Sequence, residues 1–159
     1  MRSPLIGRVK QAEGSFPPGY ATTRTGEVHD FDYFAGGWTT RQRRLKARGV
    51  GSNGWAGLTL RTFDLEKRQW SIYWVSSASG KMEVPVLGGF EDNHGEFDGE
   101  DQDNGRPIKV RYMWNKLDRD HARWEQAFSY DNRTWETNWT ADFVRADAAT
   151  TCDHGRPKR

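Results

Sequence analysis

The chain is nearly without cysteine. Cys152 is the single one, which excludes an internal disulfide framework and a cysteine-rich zinc site. Long apolar runs are missing too. None approaches the roughly 18 residues of a membrane-spanning helix. Residues 1–10 hold no long apolar stretch of the secretory kind, so a cytoplasmic protein is expected. Charge of one sign is absent as well: 24 Lys and Arg face 22 Asp and Glu, a net +2. That balance argues against a dedicated nucleic-acid binder, which needs a strong basic excess. Hydrophobic residues make up only 35%, low for a globular chain. What the sequence has instead is rings: eight Trp, eight Phe and five Tyr. The core must therefore be aromatic, since large rings bury the most apolar area per residue. At 159 residues one domain is expected, large enough to bury a real core.

Residues 1–28 are poor in aliphatics after Val9 and contain Gly14, Pro17, Pro18, Gly19 and Gly26, so they read as an extended lead-in. Residues 146–159 read as a flexible, frayed tail. The domain is 29–145. Within it the pattern is β throughout, with expected strands at 38–48, 55–63, 69–76, 81–90, 96–100, 107–115, 122–130 and 134–144. Alternation puts Trp70, Ile72 and Trp74 on one face, and likewise Ile108, Val110, Tyr112 and Trp114. Trp124, Gln126 and Phe128 share a face, as do Trp135, Thr137, Trp139, Ala141 and Phe143. Short connections at 64–68, 78–80 and 131–133 imply antiparallel hairpins, hence an up-and-down meander. The one helix expected is 29–35, with Asp30 as N-cap and Gly36–Gly37 ending it. A meander of this size hides its edges by curling into a barrel, and a barrel of about eight strands can hold one small ligand.

Phe-Asp-Tyr-Phe-Ala-Gly-Gly-Trp at 31–38 opens the first strand on a Gly-x-Trp, and the last strand ends on Arg145. This pairing resembles the calycin signature shared by lipocalins and their relatives. The segments Arg61-Thr62-Phe63-Asp64, Trp70-Ser71-Ile72-Tyr73-Trp74, Arg123 to Ser129 and Thr134 to Trp139 are similar to a bacterial family of small calycin-like proteins without a settled function. The resemblance covers about 29–145. It implies an all-β, antiparallel calycin-like barrel, closed or half-open, in which Arg145 packs over Trp38. The family pattern has a further hairpin before the strand at 57–61. Here only Gly49 to Gly54 fills that gap, which leaves strand count and closure open.

The two strand faces differ. One carries Trp70, Trp74, Trp114, Trp124, Phe128, Trp135, Trp139 and Phe143, with Gln126 and Thr137 as its polar members. The other carries Tyr73, Lys109, Arg111, Met113, Arg123, Glu125, Ser129, Glu136, Asn138 and Thr140. Charged side chains are rarely fully buried, which turns the aromatic face inward. Trp74, Trp114, Trp124 and Trp139 then wall a pocket, and Gln126 orients the ligand because an amide both donates and accepts. The opposite reading points Arg111, Glu125, Glu136 and Asn138 inward as a polar site. The candidate ligand-binding set is therefore Trp74, Arg111, Trp114, Trp124, Gln126, Asn138 and Trp139. Glu125 and Glu136, on neighbouring strands, are the only candidate acid–base pair.

His29, His94, His121 and His154 lack ligand spacing, so no metal and no cofactor is expected. The acidic stretch 91–103 fails the EF-hand pattern: counted from Asp101, position five is Gly105 and position twelve Tyr112. It reads as a solvated acidic hairpin. Arg41, Arg43, Arg44, Lys46 and Arg48 alternate over both faces and form no phosphate-binding stripe. Nucleophile-elbow, P-loop and dinucleotide fingerprints are absent. The expectation is a cytoplasmic binding protein for a small, largely apolar or aromatic molecule, with no nucleic-acid or membrane partner; a homodimer stays open. The alternatives are a cofactor-free isomerase or cyclase and a ligand-free scaffold.

Overall fold

Period-two alternation of rings with polar residues becomes, in the computed structural model, one curled antiparallel sheet. The structure describes residues 24–45, 56–147, 149, 152–153 and 156–157. Its strands are β1 (Gly37–Arg44), β2 (Gly57–Asp64), β3 (Gln69–Ser76), β4 (Lys81–Met82), β5 (Val86–Glu91), β6 (His94–Asp103), β7 (Arg106–Lys116), β8 (His121–Ser129) and β9 (Glu136–Ala146). They run in the order β1-β9-β8-β7-β6-β5-β3-β2, with β4 attached to β3. Among the described residues β1 and β2 are opposite edges and do not pair, so the molecule is an open half-barrel. Chemistry of the turns fits this path. Asn104 (φ 51°) and Gly105 (φ 81°) link β6 to β7, an Asn-Gly in the left-handed region that two-residue hairpins favour.

The inner face explains the curl. Phe97, with no exposed surface, is flanked on β6 by Gly95 and Gly99. A Cβ on Gly95 would lie 2.7 Å from the Phe90 ring, and one on Gly99 would lie 2.7 Å from Val86 Cγ1. Glycine at both places lets neighbouring strands fold over the central ring. The bend is deep enough that Trp74 on β3 meets Trp139 on β9, centroids 6.2 Å apart, although four strands separate them in the sheet.

One end is closed by the segment before β1. Phe31 sits 5.0 Å from both Trp70 and Phe90 and 6.0 Å from Trp114, all edge to face. Phe34 lies 5.2 Å from Trp38, 5.1 Å from Trp114 and 5.2 Å from Phe143. Arg145 seals the corner. Its Cζ is 4.2 Å from the Trp38 ring, and its guanidinium donates to the carbonyls of Ala35 (3.0 Å) and Tyr33 (2.7 Å). This is the Trp–Arg contact the resemblance implies.

Several expectations are corrected. The helix at 29–35 is a 3-10 turn of three residues, Asp32–Phe34, whose N-cap is Phe31; Asp30 instead accepts from the Glu27 amide at 2.7 Å. The strand at 81–90 is two strands, because Pro85 has no N–H for the ladder. Beside these corrections, residues 24–28 of the expected lead-in hydrogen-bond to the half-barrel: the Gly26 amide donates to the Arg68 carbonyl at 2.8 Å, and Trp70 Nε1 to the Glu27 carbonyl at 3.1 Å. In the stretch read as a tail, β10 (Cys152–Asp153) pairs with β11 (Arg156–Pro157). The gap at 49–54 lies outside the described residues. Among those described, no helix is long and apolar enough to cross a membrane.

The largest correction is a β-bulge in β9. Gln126 pairs with Trp139 and the next residue, Ala127, with Thr137, so Asn138 has no opposite number. Alternation therefore reverses before it. Trp135, expected inside, packs on the convex face with Arg111 Cζ 4.2 Å from its ring. Thr137, opposite Ala127, leaves the aromatic face, while Glu136 and Asn138 join the concave side.

Candidate functional site

The concave side of the half-barrel holds a cleft of about 800 Å³. Three zones follow from the strand registers. The closed end is lined by Phe34, Arg61, Ile72, Trp114 and Phe143. A middle belt holds Trp74, Trp124 and Trp139 with Gln42, Arg44, Tyr112, Gln126 and Asn138. The far end carries Glu83, Asp101, Asp103, Tyr130 and Glu136.

Indoles in the belt brace one another. Trp124 and Trp139 are 5.1 Å apart and nearly perpendicular, and Tyr112 lies 5.1 Å from Trp124. Edge-to-face contacts of this kind hold rings in place. Arg44 Cζ sits 4.2 Å from the Trp139 ring. Gly57 makes room for Trp74: a Cβ there would fall 1.9 Å from the indole Cη2. Gln126 Nε2 donates to Asn138 Oδ1 at 3.0 Å, a contact that exists because the bulge swings Asn138 inward. The Gln126 carbonyl oxygen and the Asn138 amide nitrogen have no partner among the described residues.

Electrostatics differ between the ends. Burial, with the charge of Asp101 close by, raises the Glu83 carboxyl above its usual range. Burial, with Glu83 and Asp101 nearby, also pushes the Tyr112 phenol upward. Tyr130 donates its hydroxyl to Asp103 at 2.7 Å. At the closed end, burial pulls the Arg61 guanidinium below its usual value.

Of the residues singled out from sequence, Trp74, Trp114, Trp124, Gln126, Asn138 and Trp139 converge on the cleft. Arg111 does not. It lies on the convex face and grips Asp98 with two bonds, Nε to Oδ1 at 2.7 Å and Nη2 to Oδ2 at 3.0 Å. Glu125 is also outside, accepting from Arg123 at 3.0 and 2.9 Å. Glu125 and Glu136 thus fall on opposite faces of the sheet, and the acid–base pair is not assembled. The acidic stretch is divided: Glu96, Asp98 and Glu100 face outward to Arg111 and Lys109, while Asp101 and Asp103 line the cleft.

Sequence reading missed Arg61, Arg44, Glu83, Asp101 and Asp103 as lining residues. For Arg61 the signal was parity with Phe63, which packs 5.0 Å from Trp70. Histidines stay apart: His29 meets Asp32 at 2.8 Å, His94 meets Asn115 at 2.8 Å, and His121 meets Asp118 at 2.9 Å. His154 lies outside the described residues. Among those described, no three His, Cys, Asp or Glu side chains converge as metal ligands. The chain matches no protein-family model, and no curated protein is significantly similar to it.

Proposed function

We propose that the concave cleft binds one small, largely aromatic molecule, and that the chain is one of the bacterial calycin-like proteins its segments resemble. The curled meander and the Trp38–Arg145 closure support the second point. The first rests on one observation: an aromatic belt of Trp74, Trp124 and Trp139 lines a cleft of about 800 Å³ that also presents the Gln126–Asn138 amide pair. Ligand pockets run roughly 300–1,000 Å³, mostly apolar with a few placed polar groups, and this cleft has that make-up. Indole faces stack on a planar ring from several directions, and the half-used amides give it a donor and an acceptor.

Quenching of tryptophan fluorescence by a panel of aromatic metabolites tests the reading, since the belt indoles report occupancy directly. Saturable quenching is expected from at least one member. Gln126→Leu should weaken that ligand about tenfold, the cost of leaving one polar group unpaired, while sparing the fold. If no compound quenches saturably, the half-barrel is a scaffold and not a binding protein.

A further inference from the structure

Among the described residues, the closed end of the cleft holds a half-buried cation with no anion beside it. Arg61 reaches inward from β2, with Cζ 4.6 Å from the Phe31 ring, 5.2 Å from Phe34 and 5.3 Å from Trp114. Its Nε is shut off from solvent and has no hydrogen-bond partner among the described residues. Among the described residues, carboxylates pair with Arg24, Arg68, Lys109, Arg111, Arg123 and Arg145, and none with Arg61. Two more buried donors in the same corner have no acceptor among the described residues: Trp114 Nε1 and the hydroxyl of Tyr33.

Buried polar groups are normally satisfied, and buried charges are normally paired. The three rings around Arg61 recover part of that cost through their faces, but a ring face is a far weaker acceptor of guanidinium N–H bonds than a carboxylate. Packing does not call for a charge here either, since an apolar chain of similar length would fill the space among three rings without desolvating a cation. Among the described residues this corner holds no acceptor with negative charge, and Arg61 lines the cleft, from which one can approach its terminal nitrogens.

We infer that Arg61 receives the carboxylate head group of an aromatic acid whose ring body lies along the tryptophan belt; this rests on the binding reading above. The planar guanidinium matches a carboxylate fork to fork, which a neutral amide or ester cannot reproduce. Polarity of the cleft fixes one orientation. The head group points to the closed end, because the far end holds Glu83, Asp101, Asp103 and Glu136.

The test uses the full chain and two fluorescent probes of nearly equal shape, 1-pyrenebutyrate and its neutral amide, titrated at neutral pH and low ionic strength. The acid is expected to bind about tenfold or more tighter than the amide, as befits hydrogen bonds to a charged group. Arg61→Met should abolish that preference by weakening the acid alone, and its Tm should not fall. Arg61→Lys should keep part of the preference, because charge survives while the fork is lost. Equal affinities in the wild type, or a tighter amide, overturn the inference and leave the binding reading standing. Saturable binding of neither probe overturns both. If Arg61→Met does not fold, the wild-type comparison and Arg61→Lys decide, and an absent preference in the wild type refutes the assignment.

Discussion

Asp98 is 3% exposed on the convex face, and Arg111 meets its carboxylate there with two bonds. Glu96 adds a second anion 3.1 Å from the same guanidinium, and Glu96 in turn pairs with Arg24 at 3.2 Å. Trp135 covers the flat side of Arg111. Removing one partner of a buried pair strands the other, at about 3–5 kcal/mol. Arg111→Leu should therefore lower unfolding stability by about that much, measured by denaturant titration, and leave pyrenebutyrate affinity unchanged while the protein is folded. A folded Arg111→Leu protein that has lost binding would move the site to the convex side. Parity alone placed Trp74, Trp114, Trp124, Gln126 and Trp139 together, because central strands bury one face and the alternation is clean there. It concealed Arg61. On β2 the apolar-looking positions are Leu58 and Leu60, yet these are 64% and 46% exposed, and the edge strand turns Thr59 and Arg61 inward. Edge strands have one neighbour only, so burial dictates their pattern weakly.

The β8–β9 hairpin was legible as an element because Asp131-Asn132-Arg133 is a turn composition between two alternating runs. Its bulge was not, since an extra residue has no compositional mark and shows only as a register break. Asp131 governs the turn. Oδ1 accepts from the amides of Arg133 and Thr134, both at 2.8 Å, and Oδ2 accepts from the Thr134 hydroxyl at 2.9 Å. These bonds favour the ionised form and hold the carboxyl well below the usual aspartate range. A depressed pKa stabilises the fold above the unfolded value of about 3.9, and that contribution is lost as pH falls toward the folded value. Asp131→Ala should thus lower Tm at neutral pH, and the gap to wild type should close as pH drops below about 4. Thermal melts of both proteins across that range check it. A gap constant with pH would mean that the turn depends on shape and not on the ionised carboxylate.

Over the whole molecule the net charge of +2 is nearly neutral, but the cleft is not. Its lining holds Glu83, Asp101, Asp103 and Glu136 against Arg44 and Arg61, with the acids gathered at the far end and Arg61 at the closed end. An anionic ligand that enters past the acids is repelled on the way in and attracted once seated. The two effects separate kinetically. Repulsion at the mouth acts through solvent, where salt screens it over a Debye length of about 10 Å at 0.1 M. The seat at Arg61 is buried, and screening reaches it far less. Raising ionic strength should therefore speed association of pyrenebutyrate while leaving its dissociation rate nearly constant, the reverse of the usual loss of steering with salt. Pyrenebutyramide, being neutral, should associate at a rate independent of salt. Glu136→Gln removes one mouth charge and should raise the low-salt association rate of the acid alone. Stopped-flow mixing at two ionic strengths reads all three effects. If association of the acid slows with salt instead, the positive charges of the surface outweigh the mouth, and the far end is not the way in.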